Sequence, residues 1–559
     1  MRQILCCFFI LGLSYLSFSQ KVSGIVTDSD GKPIPFASVY LKGTTKGTNA
    51  NNEGKYFLEL DPGQYTLVCQ HINYRMEEKV IVCGVNDIVV NFKLVVQEVI
   101  LDDVTVTNTT KREDPAYEII RNTIKKRTYH LGQMDKFQCE VYTKGQLKVR
   151  SYPKRLFGRK VNLEDGDTSK QKMLYLSETI AKYSVNKPQK VKIEVISTRV
   201  SGQSDAYGLS APNIYSFYEN NVSIGTRLNP RGFISPISDN ALNYYKYKYE
   251  GEFEEGGRQI LKIKVTPRRK YEPLFTGYIN IVENEWRIYS VDLFLTKESQ
   301  MEFIDSLKIE QLYRPVKGDV WAISSQVIYP SANILGFDAH GSFINIYSNF
   351  DIEPQFDKKF FTPTILKYTD SSNKKDAVYW DTTRPVPLMS DEISDYKRKD
   401  SLEKDPRHRD SITRADNKVN MFGALLFEQT MVTKSRRMSF TFRPLSEQFS
   451  FNCVEGLVIN TGAIWTNRFD SSANGKRRSI SLAPNLRYGF SNKHFNAHLT
   501  FTYRWGRNNP SVITLSGGKR IFQFNNNSPI GPRGNTISSL LGEKNRLKIY
   551  EAWYVRGSY

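Results

Sequence analysis

Residues 494–505, His-Phe-Asn-Ala-His-Leu-Thr-Phe-Thr-Tyr-Arg-Trp, put Phe495, Ala497, Leu499, Phe501, Tyr503 and Trp505 on one side of an extended chain. Asn496, His498, Thr500, Thr502 and Arg504 fall on the other. A strand of a soluble β-sandwich alternates in the same way. Six apolar positions rich in aromatics, opposite a row of hydrogen-bonding side chains, suit a segment with hydrocarbon outside and water inside.

The neighbouring sequence repeats the pattern. Ser479 to Phe490 sets Ile480, Leu482, Pro484, Leu486, Tyr488 and Phe490 against Ser479, Ser481, Asn485, Arg487 and Gly489. Leu457 to Trp465 and Tyr550 to Tyr559 alternate less cleanly, the latter with Trp553, Val555, Gly557 and Tyr559 on one face. Turn-forming stretches such as Ser471-Ser472-Ala473-Asn474-Gly475-Lys476 separate the candidate strands. Residues 421–559 are therefore expected to form the first strands of an outer-membrane β-barrel. Closed membrane barrels begin at about eight strands, and five or six candidates predict that this one is incomplete and that the chain is part of a longer protein. A soluble sandwich is the alternative.

The opposite end supports export. Met1-Arg2-Gln3 precedes the apolar run Ile4 to Leu13, and Ser17 and Ser19 flank Phe18 just before Gln20. This is the pattern of a secretory signal peptide over residues 1–19. No later stretch approaches the roughly 18 apolar residues that a membrane-spanning helix needs. Cys6 and Cys7 lie at the start of the apolar run, where a lipidated cysteine would not, and are read as discarded with the signal.

The net charge of +20 would raise nucleic-acid binding in a cytoplasmic protein. An exported chain without a nucleic-acid module excludes that partner. The short clusters Lys125-Lys126-Arg127, Arg268-Arg269-Lys270 and Arg477-Arg478 read as mostly solvated faces, a minority of them able to meet lipid phosphates. Aromatic residues make up 13% of the chain, which tilts the expectation toward strands.

Residues 20–95 read as a small β-sandwich. Val22 to Thr27, Ala37 to Lys42, Lys55 to Leu60, Tyr65 to Gln70, Lys79 to Val82 and Ile88 to Leu94 are strands. Turns at Asp30-Gly31-Lys32-Pro33, Asn51-Asn52-Glu53-Gly54 and Asp61-Pro62-Gly63 separate them. Cys69 and Cys83 fall within this region and pair only if their strands are neighbours; buried free thiols are the other reading. Gly24-Ile25-Val26-Thr27-Asp28, Gly31-Lys32-Pro33-Ile34, Ala37-Ser38-Val39, Lys42 to Thr48 and Asn51 to Phe57 together resemble the carboxypeptidase-regulatory-like domain. That resemblance implies a transthyretin-like sandwich at the front of an exported bacterial protein.

The resemblance does not extend to peptidase chemistry. A zinc carboxypeptidase site needs His-x-x-Glu, and the residues three beyond the six histidines are Tyr74, Gln133, Phe343, Ser411, Ala497 and Phe501. His-Glu-x-x-His and Gly-x-Ser-x-Gly are also absent. Asp102, Asp103, Glu283 and Glu285 are the acidic residues most open to a catalytic pairing, but charged residues beside turns are usually solvated. No catalytic, cofactor-binding or metal-ligating residue is assigned, no cofactor is expected, and the chain is read as not an enzyme.

Residues 96–130 are a linker and helix. Leu101-Asp102-Asp103-Val104-Thr105-Val106-Thr107 resembles the linker before the plug of TonB-dependent transporters, or is a last strand of the sandwich. The next segment is no plug: Asp114 caps a helix with Pro115 at its first position, and Tyr117, Ile120 and Ile124 share its buried face. Residues 131–360 are a β-rich periplasmic region. Tyr278 to Val282, Trp286 to Leu295, Lys308 to Tyr313, Trp321 to Tyr329 and Gly341 to Asn349 form a curved antiparallel sheet. Its rhythm around Glu283-Asn284-Glu285-Trp286 is similar to the half-barrels of periplasmic lipoprotein carriers, in rhythm alone. Residues 361–420 read as a polar connector, extended through Tyr379 to Leu388 by two prolines and then helical from a cap at Ser390 to about Asp416.

The regulatory-like domain, the Asp-Pro-Ala-Tyr-Glu-Ile-Ile helix, the Trp-Asp-x-x-Arg-Pro-Val-Pro-Leu segment and the two-faced strands resemble, as a set, one family. It comprises large outer-membrane proteins whose main region is a domain of unknown function. The resemblance implies a mainly β protein with periplasmic N-terminal domains and no established activity. The expected partners are outer-membrane lipid and a periplasmic or envelope protein held through the N-terminal sandwich. A TonB-dependent importer and a soluble exported hydrolase are the alternatives.

Overall fold

The computed structural model describes residues 20–404 and 428–559, apart from 85, 101–112, 157–158, 161–171, 189, 204–205, 207, 210–213, 226–227, 230, 302–303, 335, 434–437, 470–477, 507–510, 525–534, 537, 541–544 and 546. The signal segment, Leu101 to Thr107, the end of the connector and the turn at 471–476 lie outside the described residues. Gly31 (φ +80°) and Gly54 (φ +74°) supply the left-handed backbone that the first two N-terminal turns require. A side chain on Gly54 would also meet the Val26 carbonyl oxygen at 2.3 Å.

Those turns connect β1 (Gln20–Thr27), β2 (Ser38–Leu41), β3 (Gly47–Asn49), β4 (Lys55–Leu60), β5 (Gly63–His71), β6 (Tyr74–Cys83), β7 (Ile88–Val89) and β8 (Phe92–Lys93). One sheet runs β4-β1-β7, with β8 also on β1, and the other runs β3-β2-β5-β6. Val22, Val39, Tyr56, Leu67 and Phe92 share one buried cluster. The β5–β6 register sets Cys69 opposite Glu77 and Cys83 opposite Gly63, so the sulfurs do not face each other; both are buried free thiols.

Helix α1 (Pro115–Gly132) starts where the sequence predicts, with the Asp114 carboxylate accepting from the Ala116 amide at 2.9 Å. Ile120 is fully buried, and Tyr117 and Ile124 pack beside it. Arg127 corrects the solvated reading of its cluster. It lies on the inward face and donates through its two terminal nitrogens to the Tyr218 carbonyl and to Asp239, the latter at 2.7 Å, while its Nε has no hydrogen-bond partner among the described residues.

The curved sheet is built from β9 (Lys136–Ser151), β10 (Lys172–Asn186), β11 (Lys190–Val200), β12 (Tyr245–Glu255), β13 (Arg258–Pro267), β14 (Thr276–Val282), β15 (Arg287–Thr296), β16 (Ser306–Lys317), β17 (Val320–Ile334) and β18 (Phe337–Asp351). These ten strands run in the antiparallel order β12-β13-β14-β15-β16-β17-β18-β9-β10-β11. Strand β15 starts one residue later than expected, because Trp286 (φ +55°) closes the turn in the left-handed region before the strand begins. Strand β9 is central and buries both faces. Val141, opposite Tyr347 and Ala181, joins the cluster around α1, whereas Tyr142, opposite Ile346 and Ile180, joins a cluster with Phe36, Trp380 and Val386.

That second cluster corrects the connector. Asp376 accepts from the Tyr379 amide at 2.8 Å and starts α2 (Ala377–Thr383), so Tyr379 to Thr383 is helical, and only the segment around Pro385 and Pro387 is extended. Helix α3 (Ser390–Lys404) has Ser390 as its first residue. Trp380, Val386 and Tyr396 are buried, so the segment from Trp380 to Tyr396 is a strap on the sheet. Burying these apolar groups outweighs the polarity of the intervening residues.

The described residues form two compact units, dividing between Lys397 and Arg398, with residues 154–162 and 367–370 grouped with the second. The second unit holds β19 (Gln429–Val432), β20 (Met438–Phe442), β21 (Phe449–Asn452), β22 (Gly456–Arg468), β23 (Ser479–Gly489), β24 (Phe495–Trp505), β25 (Ser511–Gln523) and β26 (Ile549–Ser558). They form an eight-stranded antiparallel sheet, β19-β20-β22-β23-β24-β25-β26, with β21 also on β22. Strand β24 has the bounds its alternation predicts. Among the described residues β19 and β26 do not pair, so the sheet is open and no closed barrel is formed. The protein is mainly β. No helix among the described residues is long and apolar enough to cross a membrane.

Candidate functional site

In the first unit, six adjacent strands of the curved sheet line one cavity of about 450 Å³. In sheet order they contribute Tyr313 from β16, Trp321 and Ile323 from β17, Tyr347 from β18, Phe137 from β9, Tyr183 from β10 and Val191 from β11. The opposite wall is the end of α1 and the turn after it, through Leu131 and Met134, and the segment from Ile214 to Ser223. The sheet turns these side chains inward because alternate residues of every strand point to the α1 face. The lining is mainly apolar, and its volume is in the range of small-molecule sites.

Hydroxyl groups mark the cavity. Tyr215 donates to the Ile224 carbonyl at 3.2 Å, Tyr313 donates to Gln311 at 3.0 Å, and Tyr218 accepts from the Ile288 amide at 2.8 Å. The Tyr347 hydroxyl is buried and has no hydrogen-bond partner among the described residues. Burial pushes this phenol well above its ordinary pKa, with smaller contributions from Cys139, Tyr183 and other tyrosines, so it is a neutral donor. Leaving it unmatched costs about 1–3 kcal/mol. At the rim, burial and then the Arg287 charge lower the pKa of His130, keeping the imidazole neutral.

The other face of the sheet carries a buried ionic cluster. Arg384 of the strap donates to Glu178 on β10 at 2.6 and 3.0 Å, and Tyr142 and Tyr396 also donate to that carboxylate. Burial opposes the charge on Glu178, but Arg384 and Lys144 outweigh it and hold the carboxyl below its ordinary range. Lys144 reaches the fully buried Glu392 at 2.6 Å. Every charge here has a partner of opposite sign, which makes the cluster a clasp for the strap.

In the second unit the polarity is reversed. Phe495, Leu499, Leu515, Trp553 and Val555 are exposed, while Asn452, Asn485 and Asn496 are buried. The opposite face holds a polar cavity of about 430 Å³ lined by Arg443, Asn460, His498, Thr500 and Arg520, beside the ion pair of Arg487 with the buried Glu455.

Of the acidic residues raised by the sequence, Glu283 and Glu285 do not form a catalytic pair. Glu285 is neutralised by Arg258 at 3.0 Å and Arg287 at 2.6 Å, Glu283 is exposed, and Asp102 and Asp103 lie outside the described residues. Among the described residues no group of three or more His, Cys, Asp or Glu is arranged to hold a metal. Sequence reasoning missed the cavity, whose lining is spread from His130 to Phe350. The usable signal was the run of strands with apolar residues on both faces.

Three family descriptions match the chain. A CarboxypepD_reg-like domain covers residues 22–106, the Family of unknown function (DUF5686) covers 119–350, and the C-terminal domain of that same family covers 423–559. A TonB-dependent receptor P39 from Formosa agariphila is 39% identical over 77 residues, 12% of this chain. The match spans 7% of that receptor's length. Among solved structures, a DUF1329 family protein from Desulfovibrio piger matches with a TM-score of 0.21 and 9% identity, covering 45% of this chain and 98% of that one. A LolA superfamily protein from Nitrosomonas europaea gives a TM-score of 0.18 and 9% identity, covering 44% and 97%. Likenesses at these scores carry no argument.

Proposed function

This chain belongs to the family of unknown function DUF5686, with a carboxypeptidase-regulatory-like domain in front, and we propose that it is a non-enzymatic outer-membrane protein. The eight-stranded sheet is a sector of a β-barrel wall, and the sandwich and curved sheet lie in the periplasm. One observation carries the reading: the second unit exposes a continuous aromatic and aliphatic row and buries asparagines and an ion pair. Water rewards the opposite arrangement, whereas hydrocarbon outside and solvent inside reward this one. Its role is envelope transport, assembly or attachment, with outer-membrane lipid as one partner.

The sandwich is the surface for an envelope partner. Its edge strand β6 leaves Val80 and Val82 about two-thirds exposed. The match to a TonB-dependent receptor supports a second reading as an importer. Against that, the segment after the linker is α1 and then the curved sheet.

Fractionation tests the proposal. The full chain is expected in the outer-membrane fraction, released by detergent and not by salt, with gel migration that changes on heating. Recovery in the salt-soluble periplasmic fraction overturns it. Crosslinking of an Asp103→Cys variant to a TonB-like partner would favour the importer.

A further inference from the structure

We propose that the polar cavity of the second unit binds a phosphomonoester, with Arg443 and Arg520 as its countercharges and the Asn485 amide as a fixed donor. Charge is the first observation. Three arginines line the cavity and no aspartate or glutamate does. Arg487 is engaged by Glu455, its Nε donating at 2.9 Å. Neither Arg443 nor Arg520 has a carboxylate partner among the described residues, and both charges act on the His498 ring. Two positive charges are therefore left uncompensated in one recess. A phosphomonoester carries about −1.5 to −2 at neutral pH and matches them, whereas a carboxylate or a sulfate ester balances only one. Guanidinium forks also fit the phosphate oxygens two at a time.

The second observation is the floor of the cavity. The sheet register aligns Gly462 of β22, Asn485 of β23, His498 of β24 and Gly518 of β25 in one row. Arg520 lies two residues beyond Gly518 and so shares its face. A Cβ on Gly462 would lie 3.2 Å from the Asn485 amide nitrogen, and one on Gly518 would lie 2.9 Å from the His498 Cβ. Two glycines thus keep the amide and the imidazole uncovered. Asn485 is 6% exposed, lines the cavity and makes no side-chain hydrogen bond among the described residues. Unlike the sealed amide of Asn496, it keeps access to the cavity, and a phosphate oxygen gives it the acceptor it lacks. At about 430 Å³ the recess is far larger than one phosphate group, and Phe451 and Phe522 supply apolar lining for the organic part of the ester. The ester comes from a soluble small molecule or from a lipid headgroup, which share this chemistry.

The inference does not rest on the barrel reading, because it uses only residues on the polar face of the second unit and not what covers the other face. A chain found soluble would end that reading and leave this one standing.

The test uses the full chain in a non-ionic detergent, titrated by calorimetry with phenyl phosphate. Saturable binding at one site per chain is expected, with phenyl sulfate, which has the same size and one charge fewer, about tenfold weaker. Arg443→Gln and Arg520→Gln should each weaken phenyl phosphate about tenfold, and Asn485→Ala about fivefold. Arg520 is exposed, so its replacement should leave the circular dichroism spectrum unchanged. Arg478→Gln, at an exposed arginine outside the cavity, should leave binding unchanged and so separates the site from the general positive charge of the chain. Equal competition by glycerol 3-phosphate and dihexanoyl phosphatidic acid assigns a soluble ester, and competition by the lipid at lower concentration assigns a headgroup. Absence of saturable binding, phenyl sulfate binding as tightly as phenyl phosphate, or an equal loss in Arg478→Gln and Arg520→Gln overturns the proposal.

Discussion

The curved sheet of the first unit and the open sheet of the second are both antiparallel and both alternate with period two, yet they hide opposite things. On β9, Val141 is 1% exposed and Tyr142 4% exposed, because α1 covers one face and the strap and sandwich tip cover the other. On β24, Phe495 is 57% exposed and its neighbour Asn496 is 2% exposed. Alternation therefore reports that a strand has two faces, and the layers packed on them decide which is inside. A sheet covered on both sides needs ionic clasps where charges must be buried. On the proposed outer-membrane reading, the bare apolar face of the second sheet meets hydrocarbon instead of water.

The sharpest way to break the comparison is to unclasp the first unit. Arg384→Ala leaves the fully buried Glu178 without its main partner and is expected to cost about 3–5 kcal/mol. Urea unfolding combined with hydrogen exchange on β10 measures this. In the second unit Leu499→Arg is expected to cost about 2–4 kcal/mol in a bilayer, if its position is near the midplane. The same change in an aqueous setting should stay within about 0.5 kcal/mol. Equal, small effects in both media would remove the distinction between the two sheets.

Titration of two glutamates in the first unit should sharpen the contrast further. The Glu178 pKa is below its ordinary value of 4.5 in the folded chain, so its stabilisation is complete above that value and is lost as pH falls through the folded pKa. Glu255 moves the other way. Burial raises it, more than the hydrogen bonds from Tyr289 and Gln70 lower it. Its favourable contribution is complete below the unfolded pKa and is lost as pH rises through the folded one. Glu255→Gln should therefore be more stable than the parent at neutral pH, with the gap closing in acid, as read from urea midpoints. The smallest loss expected in the first unit is for Asp114→Ala, about 1 kcal/mol through loss of the α1 cap. It should leave the second unit's unfolding unchanged.

Local signals carried much of this architecture. Asp114 and Pro115 announce α1 because a cap and a missing amide act within one turn. The alternation of 494–505 gives β24 its bounds, and Gly31 and Gly54 mark turns that only positive φ permits. The connector was misread for a physical reason. Its polar residues resemble a solvated linker, and the groups that bind it to the sheet are far away in sequence: Glu178 is 206 residues from Arg384, and Lys144 is 248 residues from Glu392. Neither partner reveals the other, since a buried pair and two solvated charges have the same sequence.

The sequence alone determined the mainly β character, the two-faced C-terminal strands and the family to which the chain belongs, because backbone periodicity and turn chemistry are local. Only the tertiary structure decided the order of the curved sheet, the burial of the strap and the cavity under β16 to β11. Those depend on which strands become neighbours, and the free energy of that pairing is shared among residues more than a hundred positions apart.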